Sequence, residues 1–332
     1  MNSIDSAALA DAVVNGNRRA LAQAITLIES TRKDHRVAAS DLLQRLMPYS
    51  GGSIRLGISG VPGVGKSTFI EALGNHVIDK GHRVAVLTID PSSAISGGSI
   101  LGDKTRMERL SQRPEAYIRP SPAGDTLGGV TRRSREALIL CEAAGFDVVF
   151  VETVGVGQSE TRVAEMTDMF LLLQLPGGGD ELQGIKRGIM ELADLVLINK
   201  ADGDMQTLAA RSAADYRNAL RLLHPRSANW KVHVQTCSAL QGDGIAGAWD
   251  VVVKHREIIE ASGQLKHRRA EQARLWMWSE VSDILLLALK ADDQVQTRIP
   301  ALEKAVSEGR MPAGIAAEQL LEGFLKRHTT AD

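Results

Sequence analysis

Only two cysteines, Cys141 and Cys237, occur in 332 residues. They cannot form a disulfide framework, and they suit a reducing compartment. Neither sign of charge is in excess: 39 Lys and Arg face 40 Asp and Glu, a net of −1. There is therefore no electrostatic case for nucleic acid or an anionic membrane as partner. No apolar run reaches the ~18–20 residues that span a bilayer. The start, Met1-Asn2-Ser3-Ile4-Asp5, lacks a charged-then-apolar leader. The expected location is cytoplasmic. No internal repeat is evident. The eight histidines are scattered, and no Cys-x-Cys or His tract offers a soft-metal site. What remains is a chain long enough to bury a sizeable core, as one large domain or as a domain with extensions.

What is present begins with one loop, Gly60-Val61-Pro62-Gly63-Val64-Gly65-Lys66-Ser67. It fits the phosphate-binding pattern G-x-x-x-x-G-K-[ST] at every fixed position. A β-like run, Ile54 to Ser59, enters it, and a helical run, Thr68 to Lys80, leaves it. Glycines let the backbone curl so that several N–H groups point at one phosphate. Lys66 brings charge to the β/γ-phosphates, and Ser67 offers a hydroxyl to Mg²⁺. The helix N-terminus, opening on Thr68, adds its partial positive charge.

Around this loop, short β-branched runs alternate with helical stretches. The predicted strands are Ile54–Ser59, Arg83–Ile89, Asp147–Glu152, Met169–Leu175, Leu195–Asn199 and Val232–Thr236. The third, fourth and fifth are nearly continuous apolar runs, as expected of strands buried on both faces of a parallel sheet. The expected fold is α/β: a doubly wound, mostly parallel sheet with ligands at the carboxyl ends of strands. Residues 1–50 read as a helical extension, residues 51–261 as the phosphate-loop domain, and residues 262–332 as a helical arm. Leu275, Trp276, Trp278, Val281, Ile284, Leu285, Leu286, Leu287 and Leu289 give that arm an apolar content suited to the α/β body or to a second subunit.

Asn199-Lys200-Ala201-Asp202 follows the fifth predicted strand. The Asp202 carboxylate can accept hydrogen bonds from guanine N1–H and the exocyclic amine, whereas adenine presents the opposite pattern. The Lys200 stem can lie on the base, and Asn199 can tie neighbouring loops together. Ser238, Ala239 and Leu240, after the sixth strand, can present a backbone N–H to the guanine oxygen. The cofactors expected are GTP or GDP, with Mg²⁺. Mg²⁺ prefers hard oxygens, usually one or two carboxylates beside phosphates and waters. Asp90, Asp103 and Glu152 join Ser67 as its expected contacts, some of them through water. Glu152-Thr153-Val154-Gly155 stands where a GTPase usually has Asp-x-x-Gly, and the Gly155 N–H can sense the γ-phosphate. Gln158 can orient an attacking water. Lys66, Glu152 and Gln158 are the expected catalytic positions. Arg106 and Arg109 are further basic side chains that can approach. Without an arginine there, intrinsic hydrolysis should be slow. Pro176 to Lys186 is rich in glycine and then in charge, so it reads as a moving element. Asp180, Glu181, Gln183 and Lys186 are its expected switch residues.

Gly60–Thr68, Asp90-Pro91-Ser92-Ser93, Gly102–Met107, Glu152–Glu160, Asp180–Lys186 and Asn199–Asp202 together resemble the MeaB/ArgK/MMAA family. These are P-loop GTPases of the dimeric class that includes urease and hydrogenase nickel-insertion proteins. The resemblance spans essentially the whole chain. It implies a homodimer built through the C-terminal arm, and a chaperone of an adenosylcobalamin-dependent acyl-CoA mutase, typically methylmalonyl-CoA mutase. It also implies that GTP gates cofactor transfer to the mutase from a cobalamin adenosyltransferase. A nickel-insertion GTPase would need clustered soft or imidazole ligands. An amino-acid transport-linked kinase conflicts with the guanine choice of Asn199–Asp202.

Overall fold

The computed structural model describes residues 5–30, 32–89, 107–120, 127–153, 159–177, 187–222, 227 and 229–329. Among these residues, seven strands form one sheet: β1 Ile54–Gly60, β2 Val84–Ile89, β3 Ala116–Arg119, β4 Val148–Thr153, β5 Met169–Gln174, β6 Leu195–Ile198 and β7 His233–Thr236. Every pairing is parallel, in the order β3-β2-β4-β1-β5-β6-β7. All six predicted strands are present, each end within one residue of its predicted place. The seventh, β3, is not legible in the pattern. It is a four-residue edge strand that buries Ala116 and Ile118 and leaves Tyr117 and Arg119 half-covered. So short an alternation carries little periodic signal.

β1, β2, β4, β5 and β6 are buried almost throughout because helices cover both faces. On one face, α4 (Lys66–Asp79) and the helix Ile245–Ala261 pack together with Leu56, Ile58, Val86, Phe150 and Leu171 in one apolar core. Met190, Ala209, Ala213 and Tyr216, from helices Arg187–Leu192 and Gln206–Leu220, cover Leu172, Val196 and Ile198. β1 lies between β4 and β5. The chain leaves β1 toward β2 on one side and later enters β5 on the other. In such sheets ligands bind outside the carboxyl ends of the strands, where the winding reverses.

Among the described residues, three α-helices precede the sheet: α1 (Ser6–Val14), α2 (Arg18–Glu29) and α3 (Lys33–Leu46). Asp5 caps α1 by accepting from Ala7 and Ala8 N–H, and Asn17 caps α2 by accepting from Arg19 and Ala20 N–H. They pack on the helix Leu127–Ala143. Arg119 pairs with Glu29, and Arg18 donates to the Pro114 carbonyl at 2.7 Å, which fastens them to the β3 edge.

At the amino ends of the strands lies a buried ion network. Arg55 donates to both Glu142 oxygens at 2.8 and 2.9 Å. Arg269 binds Asp168 at 2.7 and 2.9 Å and also the Gly51 and Ser53 carbonyls. Gln272 donates to the Thr167 carbonyl at 3.0 Å. Burial alone would raise the Asp168 carboxyl; the Arg269 bonds and charge, helped by Arg55, hold it below the usual carboxylate range instead. Glu142 is likewise pushed up by burial and drawn down further by Arg55, Ser53 and Gly51, with the same net direction.

The chain divides into two compact units, Met1–Gln272 and Ala273–Asp332. The first holds everything above. The second carries the continuation of helix Gln264–Ala291, then helices Asp293–Ser307 and Ala313–Thr329. Leu275, Met277, Trp278, Val281, Ile284, Leu285, Leu286 and Leu287 of this unit are exposed. Among the described residues, no helix is long and apolar enough to cross a membrane.

Candidate nucleotide site

β1 ends at Gly60, and α4 begins at Lys66, so Val61 to Gly65 form the connecting loop. Gly60, at the end of β1, and Gly65, at the end of the loop, leave no room for a side chain. A Cβ on Gly60 would lie 2.5 Å from the Leu173 carbonyl oxygen. Gly65 caps α4 with φ +93°, and a Cβ there would lie 2.8 Å from Asn199 Nδ2. Lys66 Nζ curls back to donate to the Gly60 carbonyl at 2.7 Å. Pro62, Gly63 and Thr68 are exposed; Lys66 and Ser67 are half-buried at the first turn of α4.

The carboxyl ends of β6 and β7 meet this loop. Asn199 is buried; its Nδ2 donates to the Val64 carbonyl at 2.8 Å, and its Oδ1 accepts from Ala239 N–H at 3.0 Å. One amide thus ties three loops together. Lys200 has φ +59°, the one non-glycine in the left-handed region among the described residues. Such backbone strain tends to gather at functional sites. The Ser238 hydroxyl donates to Asp202 Oδ2, and the Ser238 backbone closes a turn with Asp243 O at 2.9 Å and Gly242 N at 2.8 Å. Gly65, Thr68, Asn199, Lys200, Asp202, Ala239 and Leu240 line one cavity of about 220 Å³. The phosphate-loop end, the Asn-Lys-Ala-Asp segment and the Ser-Ala-Leu turn, more than 130 residues apart in sequence at the extremes, therefore share one wall-to-wall space.

Glu152 is buried near the carboxyl end of β4, one residue before the strand stops at Thr153. It is register-paired with Ile58 of β1 and Thr88 of β2. Glu152 and Ser67 are the described hard-oxygen donors expected for Mg²⁺, and one or two carboxylates beside phosphates suffice for that ion. Asp90, Asp103, Gly155, Gln158, Asp180, Glu181, Gln183, Lys186 and Arg106 lie outside the described residues. Arg109 is exposed on the helix Glu108–Gln112, its backbone N–H bound to Glu71 of α4 at 2.8 Å.

Sequence pattern does not disclose three further contacts. Cys237, at the end of β7, donates its thiol to Asn199 Oδ1 at 3.5 Å, and burial pushes its pKa up to about 12. Thr153 donates to the Ser59 hydroxyl at 2.9 Å, joining the exits of β4 and β1. Gly177, where the glycine-rich segment starts, donates its N–H to Ser212 at 2.9 Å. Each joins residues far apart in the chain, and local spacing carries no trace of them.

A central parallel strand running into a glycine-capped Lys-Ser helix, beside an Asn-Lys-x-Asp turn, defines a P-loop nucleotide-binding protein of the α/β class. Comparison with known proteins makes this specific. Residues 21–294 match the family described as methylmalonyl Co-A mutase-associated GTPase MeaB, and the chain belongs to that family. A protein of Caulobacter vibrioides is 57% identical over 97% of this chain and 98% of its own length. The mouse protein named methylmalonic aciduria type A homolog, mitochondrial, is 48% identical over 95% of this chain and 79% of its own length. A crystal structure described as LAO/AO transport system kinase superposes with a TM-score of 0.77 at 38% identity, covering 98% of this chain and 99% of the other. The chain is therefore a GTPase of P-loop fold that takes guanine nucleotide.

Proposed function

We propose that this GTPase is a chaperone of an adenosylcobalamin-dependent acyl-CoA mutase. GTP gates delivery of the cofactor from a cobalamin adenosyltransferase, and the complex protects the mutase. The observation that carries the reading is the family match across 21–294, whose description names methylmalonyl-CoA mutase. The mouse relative, named for methylmalonic aciduria, points the same way.

In this reading Gly60 to Thr68 hold the phosphates, with Lys66 as their counter-charge. Asp202 reads the guanine edge, Ser238 fixes its carboxylate, and Asn199, Lys200, Ala239 and Leu240 complete the base site. The cavity shared by these residues supports the assignment. Ser67, Asp90, Asp103 and Glu152 would hold Mg²⁺, directly or through water. When bound, that ion neutralises charge on the phosphates and orients them. Gln158 positions the water that attacks the γ-phosphate, and Gly155 senses that phosphate. Asp180, Glu181, Gln183 and Lys186 change partners with nucleotide state. Hydrolysis is slow alone and accelerated by the mutase. Residues 1–50 are a helical extension, 51–261 the GTPase domain, and 262–332 a cytoplasmic homodimer's arm, for which the exposed leucines and Trp278 supply apolar surface.

The test is GTP hydrolysis with and without acyl-CoA mutases from the source cell. Stimulation by one of them, with co-purification, supports the chaperone reading. Phosphate transfer from GTP to arginine or ornithine, with no response to any mutase, would instead establish a kinase.

A further inference from the structure

Thr88 occupies the penultimate position of β2 and is 2% exposed. Alternation puts it on the same face as Val84 and Val86, which join the core beneath α4. The Thr88 hydroxyl has no hydrogen-bond partner among the described residues. Buried hydroxyls are ordinarily bonded, and one left alone destabilises the fold. Valine, of nearly the same shape, would fill this place without that cost.

The register shows what lies beside it. Thr88 is the Cα partner of Glu152, whose side chain projects from the same face as Val148 and Phe150. The two side chains leave neighbouring strands about 5 Å apart, the interstrand spacing. The other two hydroxyls at these strand ends, Ser59 and Thr153, bond to each other. Among the described residues, Thr88 is thus an unsatisfied donor and acceptor on the strand position next to the carboxylate expected to face Mg²⁺.

We infer that Thr88 is a positioning residue of the metal site: its hydroxyl hydrogen-bonds a water that the nucleotide-bound Mg²⁺ retains on the Glu152 side. Mg²⁺ gives up its waters reluctantly and keeps several of them when it binds through phosphates. Groups that hold such waters tune affinity for the ion without touching it. The inference rests on the proposed metal role of Ser67 and Glu152.

The experiment measures binding of a fluorescent GDP across a Mg²⁺ titration, with thermal melts of the nucleotide-free protein alongside. Thr88→Val should melt no lower than the native chain when nucleotide-free. It should need about tenfold more Mg²⁺ for half-maximal tightening of the nucleotide. Thr88→Ser should restore the native midpoint. Should the valine variant fail to fold, Thr88→Ala should show the same shifted midpoint. A native Mg²⁺ midpoint in Thr88→Val or Thr88→Ala overturns the inference and makes Thr88 a core-filling residue. If Mg²⁺ leaves the native protein's own affinity unchanged, the metal role of Ser67 and Glu152 falls first, and this inference with it.

Discussion

Asn199 Nδ2 donates to the Val64 carbonyl at 2.8 Å, across 135 residues of sequence. That single bond joins the turn after β6 to the loop after β1, and the same amide accepts from Ala239 after β7. Asn199→Ala should remove both bonds and leave the Val64 carbonyl and the Ala239 N–H short of a partner. At about 1 kcal/mol for each, GTP affinity should fall ~10–100-fold, and calorimetry would show it. Native affinity would mean the loops hold together without the amide.

Lys66→Ala removes the charge that now rests on the Gly60 carbonyl. A charge-assisted hydrogen bond contributes about 1.5–3 kcal/mol, so losing more than one should weaken GTP at least ~100-fold. The melting temperature without nucleotide should barely move, because Lys66 is only half-buried. Equal GTP affinity in the variant would refute the phosphate role.

Asp202→Asn replaces an acceptor-only group with one that also donates. The GTP-to-ATP preference should drop by ~10-fold or more, read by competition against a fluorescent GDP. Ser238→Ala frees the Asp202 carboxylate and should weaken GTP less than Asp202→Asn does. A preference unaltered in Asp202→Asn would place the base elsewhere.

Asp168→Asn breaks the buried contact with Arg269 and should destabilise the chain by about 3 kcal/mol in urea melts. Native Asp168 and Glu142 also fix a pH dependence. Both carboxyls are held below their ordinary values in the folded chain. Their contribution is therefore complete above pH ~4–5 and is lost as pH falls through the lowered folded values. Melts between pH 7 and pH 3 should show stability falling only at the acid end, with a shallower slope in Asp168→Asn.

Burial pushes the Cys237 thiol up to about 12 and the Cys141 thiol higher still. Neither supplies thiolate at neutral pH. Alkylation of the native protein should modify neither cysteine, and alkylation in urea should modify both. Rapid labelling of Cys237 in the folded protein would show that the β7 end opens.

Much of this was legible in the chain. Glycine spacing before Lys66 and Ser67 fits a phosphate-loop pattern because it lets successive backbone N–H groups face one anion. Apolar runs such as Met169–Leu175 announce buried strands because both faces are covered. Ala116–Arg119 was silent, since a four-residue edge strand half-exposed to solvent follows no strong pattern. The Lys200 backbone strain was silent too, for a lysine carries no preference for φ +59°.

Local chemistry was readable from the chain alone: a loop of phosphate-binding pattern, a carboxylate of the type that suits guanine, and the alternation of strands with helices. These follow from residue type and short-range periodicity. The tertiary structure alone decided which distant residues meet. Asn199 reaches Val64, Thr153 reaches Ser59, and Thr88 pairs in register with Glu152 because the order β2-β4-β1-β5-β6 sets these strand ends side by side. Strand order is a product of packing across the whole sheet, and no window of sequence contains it.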